Sequence, residues 1–195
     1  MPAYTRPFGL QPVSLIGGQP YAGATREFTI TSGYGVALRP GDLVALASGV
    51  IAKATATTAV PTGGVIGVFL GCSYTDAALG KTFRTNWVAG TVAADAVAIV
   101  SADPQVILRA AYVSGTTVVA GQTAAAVIGK NVALVQNTTS TGTSDVAVSA
   151  VATTATLPMR VVDVDRDSVN AAGTFTAVFV TYNGLMHAYL NSTGT

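Results

Sequence analysis

Short runs of β-branched and apolar residues recur along the whole chain, and glycine, proline, aspartate or asparagine soon interrupts each of them. Valine and threonine favour strands because their branched side chains fit a pleated, half-buried surface. Many short strands separated by turn residues are typical of sandwiches and barrels. The pattern therefore predicts an all-β protein with barrel or sandwich architecture, similar to a jelly roll.

The positions of these runs predict strands along most of the chain after its first 26 residues. The predicted strands are Glu27–Ile30, Asp42–Leu46, Val50–Ala54, Val65–Tyr74, Thr82–Val88, Ala96–Val100, Gln105–Tyr112, Asn131–Val135, Asp145–Ala150, Arg160–Asp165, Thr174–Tyr182 and Leu185–Leu190. Asn183-Gly184, between the last two, is typical of a two-residue hairpin turn. Thr75 to Gly80 and Thr123 to Ile128 have some helical character, but neither run is long enough for an independent helix.

The low charge of the chain limits the class of protein. Of its 195 residues, 50% are hydrophobic and only 10% charged, whereas charged residues make up about 25% of a typical soluble domain. Such a composition indicates either a membrane protein or a protein that hides much of its surface in an assembly. A spanning helix needs about 20 consecutive apolar residues, and the runs here are shorter. Met1 to Tyr21 also lack the features of a secretory signal. We therefore expect an assembly and no membrane partner.

The scattered basic residues argue against a nucleic-acid-binding protein, and the single cysteine argues against a fold held by internal disulfides. The net charge is +1 and the basic residues are scattered, so nucleic-acid binding has little electrostatic support. Cys72 is the only cysteine, so no internal disulfide is expected and packing alone must stabilise the fold.

The N-terminal segment Met1 to Tyr21 differs from the rest of the chain because it holds four of the eight prolines. Proline removes ladder donors and fixes the backbone in extended or turn conformations, so the segment is predicted to be an extended arm. Its large apolar residues are Tyr4, Phe8, Leu10, Leu15, Ile16 and Tyr21. Two alternatives stay open: these residues form a capsid or subunit interface on a neighbour, or the arm packs on its own domain.

The remainder, residues 22–195, is predicted to be one β-rich domain, with two lobes as the alternative. The candidate division is Gln136 to Ser144, a polar loop of low complexity. Such a loop either joins two domains or caps a long hairpin.

No constellation for catalysis is visible. His187 is the only histidine, so any triad or dyad would depend on it, and no Gly-x-Ser-x-Gly elbow is present. Cys72 lies in an apolar run and is predicted to be a core residue. A zinc site needs several histidine or cysteine ligands, and this chain has one of each. We therefore expect a protein that is not an enzyme, with no cofactor and no metal.

Asp163, Asp165 and Asp167 have the spacing that begins a calcium loop. The sixth position is Ser168 rather than glycine and the twelfth is Thr174 rather than glutamate, so the motif is incomplete. The favoured interpretation is a solvated or interface strand face whose carboxylates pair with Arg160 and Arg166. Trp87 and the scattered tyrosines are expected in the core or at an interface, with sugar binding as the less favoured alternative.

Three groups of residues spanning nearly the whole chain together resemble one known family. The first is Arg6-Pro7-Phe8-Gly9-Leu10-Gln11-Pro12 with Gly23-Ala24-Thr25-Arg26 and Gly41-Asp42-Leu43-Val44. The second is Gly67-Val68-Phe69-Leu70-Gly71-Cys72-Ser73-Tyr74 with Trp87 and Gly90. The third is Asp103-Pro104 with Asn183, His187 and Asn191-Ser192-Thr193-Gly194-Thr195. The combination resembles the capsid decoration or cement proteins of tailed bacteriophages.

The resemblance implies a β-rich fold, a place on the surface of the phage head, and the major capsid protein as partner. It carries no catalytic residue. Low charge and high apolar content agree with a subunit whose surface is covered by partners. We therefore predict a virion protein, made in the host cytoplasm, that binds and stabilises the capsid. A homotrimer at three-fold positions is expected because closed symmetry fits an icosahedral surface.

Other functions stay open as alternatives. A tail or host-attachment protein that binds surface glycans would need a repetitive fibre segment, which the sequence does not show. A small hydrolase would need a carboxylate pair in a cleft, and Asp163 and Asp165 are too close in sequence to be persuasive. A major capsid protein usually carries a long spine helix.

Overall fold

The computed structural model describes residues 6–54, 64–114, 117–118, 124–135, 142–169 and 175–192. The strands are β1 (Gln11–Leu15), β2 (Thr25–Thr29), β3 (Leu43–Ala47), β4 (Val50–Lys53), β5 (Val65–Asp76), β6 (Gly80–Arg84), β7 (Val97–Ser101), β8 (Val106–Ser114), β9 (Thr117–Val118), β10 (Asn131–Val135), β11 (Ala147–Ala152), β12 (Met159–Val164) and β13 (Ala177–Tyr182). A short helix α1 spans Ala124–Val127, and two 3-10 helices span Arg166–Ser168 and Gly184–Met186. The all-β prediction is confirmed.

Within the described residues, five strands close into a barrel in the order β8-β11-β10-β12-β13, and β13 pairs again with β8. The β8–β11 pair is parallel, and the other four pairs are antiparallel. Strands β1 and β9 are additions that pair with β8. Alternate residues of β8 and β13 point to the same side of the sheet, and they fill the barrel core: Leu108, Ala110, Tyr112, Val178, Val180 and Tyr182.

The second sheet has the order β2-β7-β5-β3-β4, and β6 adds to β5. Strand β5 is 12 residues long, so it pairs with β3 through its first residues and with β6 through its last, while β7 occupies its other edge. Ser48 (φ 52°) and Gly49 (φ 80°) connect β3 to β4. Two consecutive residues with positive φ are typical of a type I′ hairpin turn, whose backbone twist matches the twist of the two strands that it connects. Trp87, Phe69 and other apolar residues make a separate core for this sheet.

The two sheets meet in a shared interface. Leu43, Val65 and Val68 of the second sheet belong to the same buried cluster as the barrel residues. A buried polar group also connects them: Asp42 is 1% exposed, and its carboxylate accepts hydrogen bonds from Ser144 Oγ at 2.7 Å and from Lys53 Nζ at 2.8 Å. Ser144 precedes β11 of the barrel, whereas Asp42 and Lys53 belong to the second sheet. This polar group therefore ties one sheet to the other.

The described part of the N-terminal arm packs on its own domain. Strand β1 lies within the arm and pairs with β8. Leu10 is 1% exposed in the barrel core, and its N–H donates to the Gly41 carbonyl. Gly9 has φ 77°, and a Cβ there would lie 2.9 Å from Ser144 Cβ and 3.0 Å from Gly41 Cα. The close contact explains why glycine precedes Leu10 at this point.

The chain divides between the sheets at a different place from the predicted one. Strands β2 to β7 form the second sheet and β8 to β13 belong to the barrel sheet, so the change falls at residues 102–105. Strands β10 and β11, on the two sides of the predicted division, pair with each other. Of the two alternatives, the segment between them therefore connects hairpin neighbours. Residues 136–141 of that segment lie outside the described residues.

The predicted strand Leu185–Leu190 does not form. Gly184–Met186 is a 3-10 helix, and only His187 makes an isolated bridge, to Val65. Asn183 is not in a hairpin turn either: it is buried, its amide donates to the Ala155 and Leu157 carbonyls, and its Oδ1 accepts from Arg160. The asparagine side chain thus bonds to the segment between β11 and β12, and His187 and Ala188 after it contact Val65 of the second sheet.

Candidate functional site

Large apolar side chains are exposed at one end of the second sheet. We call this group the apolar end; it comprises Val36, Leu79, Phe83, Val88 and Val92, and the exposed fraction reaches 74% for Phe83 and 82% for Val92. The β5–β6 turn, the segment before β7 and the segment after β2 meet here, because Thr29 and Ser73 both pair with Val97.

Local hydrogen bonds fix the β5–β6 hairpin that carries Leu79 and Phe83. Asp76 Oδ1 accepts from the Ala78 and Leu79 amides at 2.9 and 3.2 Å, and these bonds lower the pKa of Asp76. Phe83 is opposite Ser73 in the ladder. Because Cys72 and Tyr74 point into the core, alternation places Phe83 on the other face of the sheet. Within the described residues, β6 pairs only with β5, so its outer edge is free.

A buried tryptophan anchors the other half of the apolar end. Trp87 is 0% exposed, and its Nε1 donates to the Tyr34 carbonyl at 3.1 Å. Its backbone exchanges two hydrogen bonds with Leu38. Val36 and Val88 lie on the two segments that these bonds join, so both are held in place while their side chains face outward. Of the two expected positions of Trp87, in the core or at an interface, the structure shows the core, and this burial excludes Trp87 as an exposed sugar platform.

A polar cluster borders the apolar end. Asp95 accepts hydrogen bonds from the backbone and side chain of Thr75 and from Lys81 Nζ, at 2.9, 2.7 and 3.1 Å. The Thr75 backbone, then its hydroxyl, then Lys81 lower the pKa of Asp95 well below its usual range. Both charged side chains are about half exposed, so the pair contributes little to stability.

A groove of about 570 Å³ lies at the opposite end of the second sheet. Its walls are the start of β2 with Thr25 and Arg26, the link from β7 to β8 with Asp103 and Pro104, and the ring of Tyr189. The guanidinium of Arg26 lies over that ring, 5.5 Å from its centroid. These residues come from three distant segments, which the docking of the C-terminal turn brings together.

His187 forms the base of the groove's aromatic wall. It is 0% exposed between the rings of Tyr182 and Tyr189, whose centroids lie 4.7 and 5.2 Å from its own. Nδ1 accepts from the Tyr189 amide at 3.2 Å, and within the described residues Nε2 makes no hydrogen bond of ordinary length. Burial lowers the pKa of His187 to about 4, against smaller opposing effects of the Ile66 carbonyl and the Asp103 carboxylate.

Acidification is expected to weaken the fold through His187. Its pKa is about 6.5 in an unfolded chain and about 4 here, so the unfolded state takes up the proton first. The stability contribution is therefore present above pH 6.5 and is lost as the pH falls towards 4, to a total of about 3 kcal/mol. Because the chain has one histidine, urea unfolding between pH 7 and pH 4.5 reports mainly on this group. His187→Phe should flatten the profile; a flat profile in the unmodified protein would contradict the expectation.

The interface residues predicted from the sequence do not gather on one surface. Leu10 is in the core, and Leu15 and Tyr21 are partly buried against it. Phe8 is partly buried under the Arg109 guanidinium. Ile16 is 57% exposed, and Tyr4 lies outside the described residues. Of the five described residues, Ile16 alone presents a large free apolar surface.

Cys72 and His187, the two residues that a catalytic dyad would need, lie in different parts of the structure. Cys72 packs with Tyr74 and Trp87, whereas His187 packs with Tyr182 and Tyr189. Burial raises the pKa of the Cys72 thiol to about 11, against a smaller opposing effect of Arg84, so the residue is an inert core thiol.

The aspartate series does not form the predicted face. Asp165 pairs with Arg109, and the side chain of Asp163 accepts from the amide of Val164. The predicted partner Arg160 instead contacts two asparagines. A bulge in β12 and the 3-10 helix after it break the alternation on which the prediction relied.

In the described part of the chain, no group of three or more histidine, cysteine or acidic residues is placed to hold a metal ion. Across the same residues, no helix has the length and apolar character needed to cross a bilayer.

Comparison with known proteins identifies no relative. No family model matches the chain, and neither the curated proteins nor the solved structures contain a significant match. The resemblance to capsid decoration proteins therefore stays an expectation from the sequence.

Proposed function

We propose that this protein is a structural subunit of a tailed-phage virion that attaches to the assembled capsid through its apolar end and stabilises the shell. The observation that carries the proposal is the exposure of five large apolar side chains on a fixed part of the second sheet. Several exposed apolar side chains near one another often mark a site of contact with another protein. In a chain with only 10% charged residues, such a surface suits a partner that is permanently present.

The apolar end has the physical properties of a docking surface. Fully burying a large apolar side chain contributes roughly 1.5–3 kcal/mol. Trp87 and the Asp76 turn already hold the surrounding backbone in place, so binding would order little additional chain and lose little entropy. The polar cluster of Asp95 and Lys81 would then lie at the rim, where interfaces are normally polar.

The free edge of β6 offers a second mode of contact with a capsid protein. Among the described residues the outer backbone groups of β6 have no strand partner, so they can accept an added strand, which supplies main-chain hydrogen bonds. The affinity of each contact is modest, but avidity strengthens the binding when many copies attach to one lattice. Association as a homotrimer at three-fold positions would add to this effect.

The test is binding to undecorated shells assembled from the major capsid protein of the same source. The double variant Leu79→Ser/Phe83→Ser should bind at least tenfold more weakly, because two anchors of the apolar end are removed. Val162→Ser in β12 is the matched control, since Val162 is also exposed, at 37%, but lies on the barrel. Cosedimentation and cryo-electron microscopy of the shells measure the binding.

Two outcomes would contradict the proposal. The unmodified protein would fail to cosediment with the shells, or the double variant would bind as well as the Val162→Ser control. Melting temperatures of all variants separate a binding defect from a folding defect.

A further inference from the structure

The groove between β2, the β7–β8 link and Tyr189 contains two opposite charges that do not pair. Arg26 and Asp103 both line it, yet within the described residues neither takes part in a salt bridge with the other or with a third residue. Asp103 Oδ1 accepts from the Gln105 amide at 2.8 Å, which fixes the orientation of the carboxylate and leaves Oδ2 for another donor. A hydrogen-bond donor group and an acceptor group therefore line one cavity without forming an ion pair with each other.

The aromatic wall of the groove is rigid. The Ala188 amide donates to the Val65 carbonyl at 2.7 Å, and the amides of Leu190 and Asn191 both donate to the His187 carbonyl at 2.9 Å. The ring of Tyr189 rests against buried His187, and the residue as a whole is 47% exposed. The ring is thus held between His187 and the Arg26 guanidinium, and a ligand would meet the part of the residue that stays exposed.

We propose that this groove binds a neutral saccharide, with Arg26 and Asp103 bonding to its hydroxyl groups and the exposed part of Tyr189 contacting its apolar carbon atoms. A sugar presents neighbouring hydroxyls that both donate and accept, which matches a carboxylate and a guanidinium in the same cavity. Ala24, Ala102 and Pro104, which also line the groove, have small or compact side chains. The volume lies within the range of roughly 300–1,000 Å³ typical of small-molecule sites.

The charges of the groove disfavour other ligand classes. A phosphate or sulfate would be attracted by Arg26 but repelled by Asp103, and a cation would be attracted by Asp103 but repelled by Arg26. A neutral ligand has neither disadvantage. The groove is also independent of the apolar end, since Thr25 and Ser101 are at the opposite ends of their strands from Thr29 and Val97. Loss of saccharide binding therefore would not affect the proposed capsid contact.

The test is an NMR titration of the full chain with glucose, galactose, N-acetylglucosamine and maltose. At least one of these sugars should give saturable shifts at residues 24–26, 102–104 and 189, with millimolar affinity. Arg26→Gln and Asp103→Asn should each weaken binding at least fivefold. Tyr189→Ala should do the same, whereas Tyr189→Phe, which keeps the ring, should retain binding. Arg166→Gln is the control, because Arg166 is exposed on the 3-10 helix before β13.

Several outcomes would overturn the proposal. One is the absence of saturable shifts at the groove with all four sugars. Another is saturable binding there of phosphate or glycine but not of any sugar, which would assign the groove to a charged ligand. A third is equal sugar affinity in the unmodified protein, Asp103→Asn and Tyr189→Ala, with melting temperatures showing that all are folded.

Discussion

Replacing Asp42 with alanine is expected to lower the free energy of unfolding by about 3–5 kcal/mol. The carboxylate is 1% exposed and accepts hydrogen bonds from Lys53 Nζ, Ser144 Oγ and the Arg39 amide, at 2.8, 2.7 and 2.9 Å. Its removal leaves the Lys53 ammonium, which is 18% exposed, without its counter-charge. Because the group joins the two sheets, the loss affects the interface between them. Urea unfolding measures the change as a shift of the midpoint.

A surface aspartate provides the matched control for this experiment. Asp95→Ala removes a carboxylate that also pairs with a lysine, but the pair is about half exposed. Its loss should cost less than about 1 kcal/mol. A double-mutant cycle between Asp42→Ala and Ser144→Ala should show a coupling energy, since the two side chains are in direct contact. Equal effects of Asp42→Ala and Asp95→Ala would contradict the assigned role of Asp42.

Replacing Gly67 with alanine is expected to lower the free energy of unfolding by at least about 4 kcal/mol. If the unmodified protein is stable by less than this amount, the variant should not fold. A Cβ at this position would lie 2.1 Å from the Ser101 carbonyl oxygen and 2.8 Å from Val100 Cγ1. The oxygen belongs to the backbone of β7, which pairs with β5, so it cannot move aside as a flexible side chain would. Relief of the clash requires the two central strands of the second sheet to separate.

Gly35→Ala is the matched control for Gly67→Ala. A Cβ on Gly35 meets nothing within 4 Å, and its φ lies outside the left-handed region. The substitution should change the unfolding free energy by about 1 kcal/mol or less. Circular dichroism and urea unfolding of the two variants give the comparison. Near-native stability of Gly67→Ala would mean that β5 and β7 are not as closely paired as described.

The strand pattern was predictable because it depends on local chemistry. Runs such as 65–74 and 131–135 combine β-branched residues with turn residues at their ends, and both form strands. Strand β1 was missed because the prolines around it indicate an arm rather than a ladder. It pairs through a bulge between Pro12 and Ser14 at the edge of the barrel sheet, where proline is tolerated.

The strand predicted at Leu185–Leu190 and the hairpin turn predicted at Asn183-Gly184 were wrong because tertiary contacts decided the conformation of these residues. The residues after Asn183 are apolar enough for a strand, but burial of His187 against Val65 and the aromatic rings was more favourable than a final hairpin. The Asn183-Gly184 pair is typical of a turn, yet the asparagine side chain satisfies carbonyls at the barrel end. The same local sequence was compatible with both outcomes, and only distant partners distinguished them.

The sequence by itself determined the all-β class and the scarcity of charge, because side-chain shape and polarity act within a few residues of the chain. Only the tertiary structure decided the division of the strands between a barrel and a second sheet. It alone also decided the burial of Leu10 and the meeting of Arg26, Asp103 and Tyr189 in one groove. These features depend on contacts between residues far apart in sequence, whose pairing is selected by the free energy of the whole packed core.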